Sequence, residues 1–112
     1  MNENKAVIIT GVNGGIGKAI CEQLKKDNFN VIGIDQHNVS EVDCEYFQWD
    51  FNNKNTNPIP AIIEKISKDN LKLQSLINNA ALQIVKPVSE ITDLDMEKTL
   101  KVNVLTPFTL AR

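Results

Sequence analysis

Thr10-Gly11-Val12-Asn13-Gly14-Gly15-Ile16-Gly17 follows the apolar run Ala6-Val7-Ile8-Ile9 directly and leads directly into a helical pattern. A strand that ends in a glycine turn and enters a helix leaves backbone room for a pyrophosphate, and aims free N–H groups and the positive helix end at it. The stretch predicts a phosphate-cradling turn, with Gly11, Asn13, Gly14, Gly15, Ile16 and Gly17 as candidate contacts to a dinucleotide. A nucleotide-triphosphatase loop, G-x-x-x-x-G-K-[ST], would need glycine where Val12 stands and a hydroxyl where Ala19 stands, and is rejected on both counts.

Outward from that turn, strand-like runs fall at Lys5 to Thr10, Asn30 to Asp35, Glu45 to Asp50 and Leu73 to Asn78. Ile16, Ala19, Ile20, Gln23 and Leu24 recur at three and four, which predicts a helix to about Asp27, ended by Asn28. Val31-Ile32-Gly33-Ile34 is apolar on successive positions, as a parallel strand covered on both faces requires. Gln36 to Cys44 gives only nine residues before the next strand, enough for a loop or a single turn. The polar stretch Asn52 to Asn57 precedes Pro58 and Pro60, which open a helix carrying Ile59, Ile62, Ile63 and Ile66 to about Asp69. A loop with Pro87 leads to one final helix from Asp93 or Asp95. Strands and helices alternating in this way predict the α/β class, a doubly wound parallel sheet whose ligands bind at the carboxyl ends of the strands. Gly11 to Gly17, Asp35, Asp50 and Asn79 to Ala81 each follow one strand, so all four point at one crevice.

The chain has 112 residues, 42% hydrophobic and 23% charged, with a formal net charge of -2 and a pI near 5.3. Without a basic stripe a nucleic-acid partner has little electrostatic support. No apolar run approaches the roughly 20 residues of a membrane span, and the N-terminus has no leader pattern, so no membrane is expected and the location is expected to be cytoplasmic. Cys21 and Cys44 show no Cys-x-x-Cys or Cys/His spacing; two reduced structural thiols and no metal are expected.

Thr10-Gly11 through Gly15-Ile16-Gly17 resembles the T-G-x-x-x-G-[IL]-G signature of the short-chain dehydrogenase/reductase family. Asn78-Asn79-Ala80-Ala81 is similar to that family's N-N-A-G motif, with alanine for its last glycine, and Val102-Asn103 resembles its V-N pair. The resemblance spans the whole chain but about the first half of a family member. It implies a Rossmann-type dinucleotide-binding domain of which residues 1–112 are the N-terminal part, with the catalytic serine and Tyr-x-x-x-Lys pair downstream. Tyr46, the only tyrosine, has no lysine four residues on.

The resemblance further implies hydride transfer between a nicotinamide cofactor and an alcohol or carbonyl substrate. Asn103 would be the asparagine of the Asn-Ser-Tyr-Lys tetrad; a surface asparagine is the plain alternative. Val102, Asn79, Ala80 and Ala81 join the cofactor-binding set. Asp35 closes the second strand, where a carboxylate accepts both ribose hydroxyls and repels a 2′-phosphate. That predicts NAD over NADP, as do Gly14 and Gln36, which stand where NADP-preferring relatives tend to carry Arg or Lys. A solvated strand-end acid is the competing account of Asp35. Asp50, with Phe51 behind it, resembles the acid that meets the adenine amino group. His37 and Lys18 read as surface residues, and Trp49 as packing. The final helix implies a homo-oligomer for the complete protein. A second class stays open, a non-catalytic dinucleotide-binding module or redox sensor.

Overall fold

In a computed structural model, residues 2–53 and 56–112 are described; Lys54 and Asn55, in the middle of the expected polar stretch, lie outside them. Strand β1 (Lys5–Thr10) leads to helix α1 (Gly15–Lys26), then β2 (Asn30–Asp35), β3 (Glu45–Gln48), α2 (Ile59–Lys68) and β4 (Lys72–Ile77). A 3-10 turn at Val88–Glu90 precedes α3 (Asp93–Leu100) and α4 (Thr106–Ala111). The strands form one parallel sheet in the order β3-β2-β1-β4, with Val7 opposite Val31, Ile8 opposite Leu76 and Ile34 opposite Phe47. The first strand of the chain is thus interior, and the carboxyl ends of all four strands lie together.

Successive side chains of a strand point to opposite faces, and β1 is apolar on both. Ala6 and Ile8 join Ile32, Ile34, Trp49, Phe51, Ile62 and Val102 in one buried cluster. Val7 and Ile9 join Val12, Cys21 and Val31 in the other, under α1. Each sheet face therefore has its own core. Gly33 lets the second of these close, because a Cβ there would lie 2.7 Å from Val12 Cγ1 and 2.9 Å from Cys44 Sγ.

Both early helices end where the left-handed conformation reverses the chain, α1 at Asn28 (φ 67°) and α2 at Asn70 (φ 54°). Asparagine tolerates that region better than most side chains. The segment 36–44 carries neither helix nor strand. Three boundaries differ from the expectation. Strand β3 stops at Gln48, not Asp50; Trp49 N–H still donates to the Asp35 carbonyl (2.8 Å), and the chain then turns because Asp50 Oδ1 accepts from Asn52 N–H (3.0 Å). Strand β4 begins and ends one residue earlier than expected.

The third difference is the final helix. It starts at a capping box in which Thr92 and Asp95 each bond the other's backbone. It does not run evenly: Lys101–Leu105 form a π turn between α3 and α4. Pro107 has no N–H for the carbonyl one turn back, at Asn103. Thr106 N–H and its hydroxyl both donate to the Lys101 carbonyl instead, five residues back. Leu94 and Met96, two residues apart, depart from a single helical stripe before the π turn begins, and Val104 falls within that turn. These three side chains and Leu100 are about half exposed, as is Phe108.

Two outcomes follow from this packing. Gly33→Ala is expected to destabilise the protein by about 1–3 kcal/mol through overpacking, read as a lower urea midpoint at unchanged slope. Burial, and then the neighbouring Cys44, push the Cys21 thiol up from 9.0 to about 11. The folded state holds that proton more tightly than the unfolded chain, so this contribution is whole below about pH 9 and is lost as pH rises toward 11. Cys21→Ser is expected to flatten that alkaline fall in a pH series of thermal melts.

Candidate functional site

The glycine turn is shaped by two contacts. Gly11 has φ +68°, and a Cβ there would come within 3.0 Å of the Ala80 backbone. A Cβ on Gly17 would lie 2.2 Å from the Gly11 carbonyl oxygen, so only glycine lets α1 start this close to the end of β1. Gly15 differs, since a Cβ there would meet nothing within 4 Å. Helix α1 begins beside that open space with Gly14 at its N-cap, no side-chain cap and no acidic residue in its first turn. Its first amides lack intrahelical acceptors and its positive end is not neutralised.

The ends of β1 and β4 are locked together. The buried Thr10 hydroxyl accepts from the N–H groups of Asn79 and Ala80, both at 3.0 Å, and Asn79 Nδ2 donates to the Gly11 carbonyl (3.1 Å). At the end of β2, Asp35 Oδ2 accepts from Asn13 N–H (2.9 Å) and Oδ1 from Gln36 N–H (2.7 Å). Each oxygen keeps further acceptor capacity.

Gly11, Gly14, Asp35, Asp50, Asn79 and Ala81 border one cleft of about 390 Å³ at the carboxyl end of the sheet. Asn13, Phe51, Ala80 and Val102 also reach it. Phe51 meets Trp49 edge to face, with ring centroids 4.9 Å apart, and both are buried. Gly15, Ile16, Gly17 and Asn103 do not border the cleft. Gly17 is buried in the turn, and Ile16 is 70% exposed on the helix. Gln36, weighed above for cofactor preference, also borders the cleft; His37, Glu41, Asn52 and Leu82 complete it and were missed by sequence reasoning. Their nearness along the chain to Asp35, Asp50 and Ala81 was the available signal. Glu41 is paired with Lys18 of α1 at 2.9 Å, which ties a residue expected to be solvated to the rim.

Asn103 sits in the π turn, and its side chain holds the segment after Ala81 from both sides. Its Oδ1 accepts from Leu82 N–H (2.8 Å), and its Nδ2 donates to the Leu82 carbonyl (2.9 Å). Among the described residues no group of three or more His, Cys, Asp or Glu could hold a metal ion. No helix among them is long and apolar enough to cross a membrane.

A parallel sheet with a glycine turn, a strand-end acid and an Asn-Asn-Ala segment around one cleft is the architecture of the Rossmann fold. The chain matches the short chain dehydrogenase family over residues 5–112 and belongs to that family. It is 29% identical over 112 residues to the (S)-acetoin-forming diacetyl reductase of Staphylococcus epidermidis, covering 90% of this chain and 43% of that protein. Among solved structures it is similar to 4-hydroxyisoleucine dehydrogenase complexed with NADH (TM-score 0.79, 28% identity, 97% of this chain and 47% of that one). It is similar also to a short chain dehydrogenase from Leptospira borgpetersenii with bound NAD+ (TM-score 0.82, 28% identity, 97% and 44%). The chain spans about half the length of the curated relatives it matches.

Asn103→Ala removes both bonds to Leu82. It is expected to cost about 1–2 kcal/mol, from two hydrogen bonds of ordinary net worth, and to speed hydrogen exchange at the Leu82 amide. Unchanged exchange there would show that the clamp does not order this segment.

Proposed function

We propose that the cleft binds NAD(H) in preference to its 2′-phosphorylated form, and that the protein is an NAD-dependent oxidoreductase acting on an alcohol or carbonyl substrate. The observation that carries this is the Asp35 carboxylate. It is half-buried, oriented by two backbone donors, and shares one cleft with the glycine turn. The dinucleotide fits the residues present: open space beside Gly15 and an uncapped helix start suit a pyrophosphate, and Asp35 suits two ribose hydroxyls. Phe51 would line the adenine side with Asp50, and Ala80, Ala81 and Val102 the wall toward the nicotinamide. Gly14 and Gln36 bring no positive charge to the ribose, which also favours NAD.

When bound, the dinucleotide supplies hydride exchange with the substrate carbon. The chain's own residues bind, orient and shield. Asn103 is the residue of this chain assigned to catalysis, as the tetrad asparagine. Its side chain is occupied by Leu82, so the group we assign to holding a water of the proton relay is its main-chain carbonyl, which the proline at 107 leaves without its α-helical donor. The serine and the Tyr-x-x-x-Lys pair of the family would complete the relay, and residues 1–112 are the N-terminal part of that single domain. Exposed apolar side chains along α3 and the π turn, Leu94, Met96, Leu100 and Val104, support a homo-oligomer, and the proposed location is the cytoplasm.

Trp49, the only tryptophan, packs on Phe51 of the cleft, which places its fluorescence to respond to a ligand there. NAD+ is expected to alter that emission in a saturable way. Asp35→Ala is expected to weaken NAD+ by about one to two orders of magnitude, the worth of hydrogen bonds to a charged acceptor. No heat and no fluorescence change with NAD+ would overturn the proposal. In the full-length protein Asn103→Ala keeps the main-chain carbonyl and removes only the Leu82 clamp, so turnover is expected to fall modestly; a loss of several orders of magnitude would assign the water to the side chain instead.

A further inference from the structure

Asn13 belongs to the glycine turn, but its side chain serves a different segment. The residue is buried, and every polar atom of its carboxamide is used. Its Nδ2 donates to the Val39 carbonyl (3.1 Å) and to Tyr46 Oη (3.3 Å), and its Oδ1 accepts from Glu41 N–H (2.8 Å). Tyr46 Oη in turn donates to the His37 carbonyl. Val39, Glu41 and His37 all lie in the link 36–44, which has no helix or strand of its own to hold it. Through its main chain the same asparagine donates to Asp35 Oδ2. One residue therefore ties the link to the turn and orients the strand-end acid.

The link forms the wall of the cleft on the Asp35 side, through Gln36, His37 and Glu41. That is where the 2′ position of an adenosine ribose held by Asp35 would arrive. The Asp35 carboxylate repels a 2′-phosphate at contact distance, and at an open rim salt weakens part of that repulsion. A wall that cannot retreat adds a barrier that salt does not remove. Chemistry at a single position on the turn can thus govern which ligand the adjacent wall admits.

We propose that Asn13 is a positioning residue for dinucleotide discrimination: by tethering the link 36–44 to the glycine turn, it keeps the wall beside Asp35 closed to a 2′-phosphate. The inference rests on the dinucleotide reading of the cleft. Without the tether the link is free to move off the turn while the Asn13 and Gln36 N–H groups still orient Asp35, and the two forms of the cofactor become more alike to the protein. Tyr46 acts in the same tether, as the acceptor of one Asn13 N–H and the holder of His37.

The test is calorimetric titration of the protein and of its Asn13→Ala and Tyr46→Phe variants with NAD+, NADP+, AMP and adenosine 2′,5′-bisphosphate, at low and at high salt. The wild type is expected to prefer the ligands lacking the 2′-phosphate, and to keep most of that preference at high salt. Asn13→Ala is expected to narrow the ratio by about tenfold, the effect of one well-placed polar contact, chiefly through tighter NADP+ and adenosine 2′,5′-bisphosphate binding, and to make the remaining ratio salt-sensitive. Tyr46→Phe should shift it in the same direction by less. Equal losses for both forms of the ligand would mark Asn13 as merely structural and overturn the proposal, as would unchanged ratios. If Asn13→Ala does not fold, an unchanged ratio in Tyr46→Phe overturns it. A wild type that binds none of the four ligands overturns the dinucleotide reading itself, a result distinct from binding with an unaltered ratio.

Discussion

Everything at the carboxyl end of the sheet depends on how closely α1 approaches the end of β1. The missing Cβ of Gly17 is what allows the first turn of the helix to rest on the Gly11 carbonyl, where a methyl group would stand 2.2 Å from that oxygen. Were α1 to start farther out, its unneutralised amides would no longer overlook the cleft. Backbone proximity here is created by the absence of atoms, and polar contacts then lock it.

A second layer of organisation joins segments far apart in sequence through side chains that satisfy backbone groups. Thr10 serves Asn79 and Ala80, Asn103 serves Leu82, and Asn13 serves Val39 and Glu41. Each is a short polar side chain whose partners sit in a loop without regular hydrogen bonding. Main-chain groups in such loops need partners, and these residues supply them at three of the segments that wall or support the cleft. Surface ion pairs such as Lys86 with Asp95 contribute less, since exposed pairs are worth little.

Much of this was legible in the sequence because it follows from local patterns. The glycine spacing, the successive apolar positions of Val31 to Ile34 and the acid at Asp35 gave the sheet, its direction and the cleft's main residues. What was not legible depended on contacts across the fold. Nothing near Asn13 in the chain says that its amide will meet Val39, and nothing near Asn103 says that it will clamp Leu82. The π turn needed the joint effect of Thr106 and Pro107, and a helical wheel cannot show a change of period within one run. Asp50 was placed on the strand because Trp49 and Phe51 continue its apolar alternation, whereas the Asx turn to Asn52 ends it.

The central position of β1 also bears on how the fold is reached in time. Its two neighbours differ greatly in distance along the chain: Val7 pairs with Val31 on one side, and on the other Lys5 pairs with Lys72. Loop closure of the second kind carries the larger entropic cost and slows folding. The β1–β2 half, with α1 and the glycine turn, can order early, while the wall made by Asn79 to Leu82 is added only after β4 has docked. Completion of the cleft is therefore tied to the most non-local pairing in the sheet, and the appearance of ligand-binding competence during refolding marks the end of the process rather than its beginning.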